Sequence, residues 1–189
     1  MEGFIDNVDN LVDASNKGHC IIETLKRRNL LEEGIQRGSN LVKMHDIIRD
    51  LAQYIASSSC NEGPKYLVKA CVGLNEPPPE GTWREFETIS LMMNDITEFP
   101  DKPECPNLIS LILTRNCRII AVPHGFFELM SALQVLDLSY TSITSLSVSP
   151  SSLLNLRALI LTACRRLTEV PFLGQLKKLQ FLDIKSSGI

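Results

Sequence analysis

The sequence lacks the arrangements that announce chemistry. It has no glycine-rich loop ending in Lys-Ser/Thr, no paired catalytic carboxylates and no Ser-His-Asp set, so the 189 residues offer no catalytic centre. The six cysteines (20, 60, 71, 105, 117 and 164) form no Cys-x-x-Cys pair, and with three histidines they match no zinc-finger spacing. Reduced thiols are therefore expected rather than a disulfide framework. No Asn-x-Ser/Thr acceptor, signal-peptide pattern or apolar run of membrane-spanning length occurs, which points to the cytosol and to no membrane span. A basic excess is missing too. The net charge is −3, and residues 1–60 hold seven Lys/Arg against nine Asp/Glu. Lys26-Arg27-Arg28 is the one basic trio in that stretch, and it reads as a solvated helix end suited to the helix dipole. Nucleic acid is not an expected partner.

What is present is an ordinary globular balance, 44% hydrophobic and 22% charged, with length for one large domain or two small ones. From Ser15 the pattern predicts a helix, with Gly18, Ile21, Ile22 and Leu25 on one side and Lys17, Glu23, Lys26 and Arg27 on the other. Leu30-Leu31 leads into a polar turn through Glu32-Glu33-Gly34 to Asn40, and Leu41–Met44 returns as a strand. A second amphipathic helix comes next. Ile47, Ile48, Leu51, Ala52 and Ile55 form its apolar stripe, and Asp46 stands at the expected N-cap. Helix, hairpin, helix is a winged-helix pattern. His45 falls at the strand-to-helix junction, where two readings stand: a buried, hydrogen-bonded core histidine, or a contact for an anion welcomed by the helix N-terminus.

Residues 59–82 are broken by Pro77-Pro78-Pro79, a stiff spacer, around a short strand-like run from Tyr66 to Val72. They read as a connector leading to Trp83, which is expected to pack as a cap on the first repeat. From Phe86 the chain repeats. Ile89, Leu111, Leu136, Leu159 and Leu182 are equivalent positions, spaced by 22, 25, 23 and 23 residues. Each begins or continues an L-x-x-L-x-L-x-x-N/C pattern, the period of leucine-rich repeats. Asn94, Asn116 and Cys164 fill the turn position that must satisfy backbone groups inside the coil, while Thr141 and Ser187 replace them with a hydroxyl. The last unit carries no polar capping segment, so the sequence reads as truncated, with apolar edges expected to be exposed.

Leu41–Ser57 resembles the MHD segment of plant NB-ARC leucine-rich-repeat disease-resistance proteins, most closely the coiled-coil-bearing subgroup. The resemblance rests on Val42, Lys43, Met44, His45, Asp46, Ile47, Ile48, Arg49, Ala52, Ile55, Ala56 and Ser57 in register, with leucine-rich repeats at the right distance beyond. Glu2–Ile5 likewise resembles the tail of a family segment whose beginning is missing. The resemblance implies an α/β architecture: a small, mostly α winged-helix domain over 1–58, a connector over 59–82, and a leucine-rich-repeat solenoid over 83–189 with a parallel β-sheet on its concave face.

The resemblance also implies function. The MHD histidine of that family contacts the β-phosphate of bound ADP, and the following aspartate supports the contact, so His45 and Asp46 are the expected nucleotide residues, with Met44 in a packing role. ADP/ATP would bind the full-length receptor, not this stretch alone, because the phosphate loop lies upstream. Full-length members are nucleotide-switch ATPases; this stretch is not expected to be an enzyme. The implied partners are the intramolecular NB-ARC module and a pathogen effector or guarded host protein. The implied location is cytoplasmic, or peripheral at the plasma membrane in the full-length protein. Among the variable strand positions, Arg115, Asp137 and Tyr140 are the expected partner-binding residues. The alternative is a stand-alone repeat scaffold or decoy needing no nucleotide. An F-box repeat adaptor is disfavoured, because the N-terminal stretch matches the MHD region instead.

Overall fold

The computed structural model describes residues 11–34, 42–57, 65–146, 152–171 and 173–189. The chain divides into two compact units, Met1–Ser59 and Cys60–Ile189. The expected family tail at Glu2–Ile5 and the turn through Asn40 lie outside the described residues.

The first unit opens with α1, Leu11–Arg27, four residues earlier than the apolar pattern alone suggests. Asn29 ends it in a left-handed conformation, φ 55°. Its amide bonds Lys26 O at 2.9 Å and the Leu30 amide bonds Leu25 O at 2.9 Å, a Schellman closure that satisfies the last carbonyls. Strands β1, Glu32–Glu33, and β2, Val42–Lys43, then pair antiparallel, Glu32 opposite Lys43. Glu32-Glu33 is thus a strand and not part of the turn. Helix α2, Asp46–Ser57, comes directly after. Among the described residues of this unit only Ala14 is buried. The apolar stripe of α2 is open: Ile47, Leu51 and Ile55 are 69%, 52% and 61% exposed.

The second unit is a coil of parallel rungs. Six three-residue strands, β3 Tyr66–Val68, β4 Thr88–Ser90, β5 Ser110–Ile112, β6 Val135–Asp137, β7 Ala158–Ile160 and β8 Phe181–Asp183, form one sheet in chain order. The register keeps Leu67, Ile89, Leu111, Leu136, Leu159 and Leu182 side by side. The sheet therefore begins inside the 59–82 stretch, one rung before the first repeat read from the sequence. Strands stay short because each rung must turn away after its third residue to start the next coil.

Side chains facing into the coil are fully buried in the middle rungs, Leu111, Leu113, Leu136, Leu138, Leu159 and Leu161 among them. Burial of each contributes about 1.5–3 kcal/mol. Opposite the sheet, Phe126 packs 5.0 Å from Phe99, 4.9 Å from Phe127 and 6.0 Å from Trp83, ring centre to ring centre. Trp83 is fully buried in a 3-10 turn, Glu80–Glu85, and its indole N–H donates to Pro78 O at 2.8 Å. Its edge-on contact is with Phe126, and it joins Phe86, Ile89 and Phe99 of the first repeat in the core cluster.

Three residues beyond each strand stands a left-handed residue: Cys71, Met93, Arg115, Tyr140, Ala163 and Ser186 all have φ between 56° and 61°. For L-residues this conformation costs on the order of 1 kcal/mol. Here it aims the amide at the next rung: Met93 N bonds Thr114 O, Arg115 N bonds Ser139 O and Tyr140 N bonds Thr162 O, each at 2.8 Å. The polar ladder stands one residue further along. Asn116 is fully buried and its amide donates to Leu113 O at 2.8 Å and Leu91 O at 2.9 Å. Thr141 and Cys164 serve the same place in the next turns by donating to Leu138 O at 2.7 and 3.1 Å. Ser187 donates to Ile184 O at 2.6 Å.

Candidate functional site

The residues that the sequence reading singles out fall into two groups, one in each unit. His45 immediately precedes α2. Its carbonyl accepts the first helical bond, from Arg49 N at 2.9 Å, and its Nδ1 accepts from Ile47 N at 3.3 Å. His45 is therefore the N-cap, in the place the sequence pattern gives to Asp46. Asp46 is instead the first helical residue, where its charge favours the helix N-terminus, and its Oδ1 lies 3.0 Å from Arg49 Nη1. Arg49 also approaches Asp50 at 3.5 Å. The His45 side chain is exposed in this chain. With Nδ1 accepting, the ring proton sits on Nε2, leaving a donor suited to an anionic oxygen. Met44 is half-buried.

In the coil, Arg115 and Tyr140 occupy the left-handed position of consecutive rungs, and the Arg115 guanidinium carbon lies 4.9 Å from the Tyr140 ring centre. Asp137 stands apart from this stack. Its Oδ1 accepts from Ser139 N at 2.8 Å, closing the turn after β6, and Asp183 repeats that bond to Lys185 N at 2.9 Å. Asp137 thus has a structural task that the sequence reading did not foresee. Among the described residues no cluster of three His, Cys, Asp or Glu is placed to hold a metal ion. No helix there is long and apolar enough to cross a membrane.

Cys105 and Cys164 are the two buried thiols among the described residues. Burial pushes Cys105 up to about 12 and raises Cys164 as well. Neither has the lowered pKa of a reactive thiol.

Comparison with known proteins places these features in a family. A leucine rich repeat signature matches residues 106–165, the stretch holding β5 to β7. Across 188 residues, 98% of the chain, it is 37% identical to the probable disease resistance protein At1g12290 of Arabidopsis thaliana. The chain belongs to the leucine-rich-repeat disease-resistance proteins of plants. The disease resistance protein RFL1 of the same plant is 35% identical over 97% of the chain, and the disease resistance protein RPS5 is 40% identical over 82%. These matches cover 21%, 21% and 17% of the relatives, so the chain spans about a fifth of the length of the curated proteins it matches.

Within this resistance-protein segment the structure brings Arg115 and Tyr140 together, keeps Asp137 on its own turn, and makes His45 both exposed and a cap. The cap escaped the sequence reading because histidine ranks outside the usual N-cap residues, while Asp46 beside it ranks inside. The rung at Tyr66–Val68 had a usable signal: Leu67 lies 22 residues before Ile89, the same interval that separates Ile89 from Leu111.

Proposed function

We propose that the chain is the part of a nucleotide-switched immune receptor in which His45 senses bound ADP and the repeats receive a partner. On this reading residues 1–58 close the nucleotide-binding module, 59–82 connect, and 83–189 begin the repeat array. The full-length protein then acts in the cytoplasm, exchanging ADP for ATP when a pathogen effector, or a host protein that the effector alters, engages it. Defence signalling results from that exchange.

The observation that carries the reading is the state of His45. It is an exposed imidazole at a helix N-terminus, with Nδ1 taken by Ile47 N at 3.3 Å and Nε2–H left as a donor. A phosphate oxygen is a natural acceptor for that donor in the positive end of the α2 dipole. Asp46 would otherwise repel the phosphate, but Arg49 at 3.0 Å offsets its charge. When bound, the nucleotide supplies the charge that a two-state receptor reads; this chain's residues hold one end of it. His45 contributes the donor, and Asp46 with Arg49 keeps the helix start in place. The stretch itself performs no hydrolysis.

The test is made in the complete receptor expressed in leaf tissue. His45→Ala and Asp46→Val each produce defence signalling without an effector. Silence from both substitutions, in protein that accumulates normally, would remove His45 from the switch.

A further inference from the structure

Among the described residues, the strand-bearing face carries an ordered cation that the fold leaves without an acid. Arg49, Arg84 and Arg118 each have a carboxylate oxygen at 3.0, 3.1 and 3.4 Å. Arg115 has none among the described residues, and none of its side-chain donors finds an acceptor there. Its backbone is nevertheless fixed. The backbone is locked at φ 61° by the bond from Arg115 N to Ser139 O, and Tyr140 is locked the same way at φ 56° one rung on. The two side chains leave the coil in register and stack at 4.9 Å. A cation–π stack occupies the guanidinium's flat face and leaves its N–H edges free.

The surroundings limit what those edges can take. No second cation stands in the row of left-handed residues, Cys71, Met93, Arg115, Tyr140, Ala163 and Ser186. Asp137, on the Tyr140 rung, adds a negative charge that disfavours a dianion more than a monoanion. A single planar fork suits a single carboxylate, which it can meet with two parallel N–H···O bonds. Asp183 follows two rungs beyond Asp137, and the side chains between are apolar: Met93 is 46% exposed one rung before, and Ile112 and Ile160 flank Asp137 half-buried in the sheet.

We infer that Arg115, set over the Tyr140 ring, is the receptor for an aspartate or glutamate side chain in an acidic, leucine-bearing segment of a partner protein lying along the strand face. This rests on reading that face as the partner surface and names the chemistry of its occupant. A ring contact made before binding narrows the rotamers open to the guanidinium, so less side-chain entropy is lost when the carboxylate arrives. The contact is exposed and weakens with salt.

The probe is an acetylated, amidated peptide, Leu-Glu-Leu-Glu-Leu, titrated into the isotope-labelled chain and followed by the Arg115 side-chain signal and the amides of β5 to β8. The Glu peptide shifts both sets, and the matching Gln peptide binds at least tenfold more weakly. Arg115→Lys lowers affinity fivefold or more although the charge remains, Tyr140→Leu does the same, and Tyr140→Phe keeps the stack and the binding. Equal binding of Glu and Gln peptides, or full binding by Arg115→Lys, overturns the inference. Tighter binding of a phosphoserine peptide also overturns it, in favour of phosphopeptides. Shifts along β5 to β8 that ignore every Arg115 substitution leave the face as a partner surface while the carboxylate receptor falls. Silence along the whole face sinks both.

Discussion

Asn94 and Asn116 stand one turn apart and share one acceptor: the carbonyl of Leu91 takes a hydrogen bond from each side-chain amide, both at 2.9 Å. Their oxygens face the other way. Asn94 Oδ1 accepts from Val72 N and Leu74 N at 3.2 and 3.1 Å, and Asn116 Oδ1 accepts from Ile96 N at 3.4 Å. Each asparagine therefore stitches the turn before it to its own, and Leu91 O has both lone pairs filled. Leu138 O repeats the arrangement with Thr141 and Cys164.

Loss of one stitch should be felt at several carbonyls and amides together. Asn116→Leu takes this partner from the buried Leu113 carbonyl and Ile96 amide and leaves Leu91 O with Asn94 alone, which at about 1–3 kcal/mol for each unsatisfied group makes this a severe substitution. Asn116→Asp is no milder, because a carboxylate cannot donate to two carbonyls. Cys164→Ser, by contrast, keeps a donor for Leu138 O and should cost about 1 kcal/mol or less. Denaturant titration of the three variants checks the order. Equal destabilisation would contradict the ladder.

The thiols give a pH prediction. Cys105 is held up to about 12 by burial, whereas an unfolded thiol ionises from its ordinary value of 9.0. Between those two values the unfolded chain sheds a proton that the folded chain keeps, so stability present below about 9 is lost as pH rises toward 12. Cys105→Ala should flatten that decline. Iodoacetamide at neutral pH should label the exposed Cys20, Cys71 and Cys117 and spare Cys105 and Cys164 until the coil is unfolded.

Glycines separate two kinds of turn. A Cβ on Gly188 would lie 2.8 Å from Arg165 O and closer still to Leu167 O, both backbone atoms, whereas one on Gly174 meets nothing within 4 Å. Gly188→Ala should cost about 1–3 kcal/mol and loosen the β8 rung, and Gly174→Ala should stay within about 0.5 kcal/mol. Amide exchange of Phe181–Asp183 reads the difference.

The repeats were legible because their physics is periodic: a leucine every 22 to 25 residues is buried only if the turns stack in register, and Leu111, Leu136 and Leu159 do so. The helix–hairpin–helix order was legible for the same reason. What was hidden depends on backbone conformation without a compositional mark. Met93, Arg115 and Tyr140 adopt left-handed φ although none is glycine or asparagine, because the next rung supplies the amide's partner. The stack of Arg115 on Tyr140 arises from that shared conformation and has no pattern of its own along the chain. Likewise the run around Leu67 reads as a strand but not as a rung, because it sits beside Pro77-Pro78-Pro79, whose spacer signal assigns the stretch to a connector.

His45 has two duties that substitution can separate. His45→Ala removes the Nδ1 acceptor of Ile47 N and should destabilise α2 by about 0.5–2 kcal/mol, whereas His45→Asn supplies a preferred N-cap and keeps the helix. Arg49→Ala removes only exposed ion pairs, with Asp46 and Asp50, and should cost about 0.5 kcal/mol or less. Exchange protection at the start of α2 distinguishes the three.

The most direct measurement is the ADP content of the complete receptor purified with His45→Asn, next to the unsubstituted protein, with α2 protection recorded on both. Less bound ADP with the helix intact is the predicted result, because the introduced amide caps the helix without the imidazole's Nε2 donor. Full ADP occupancy with that helix intact would contradict it, and would leave His45 as a cap alone.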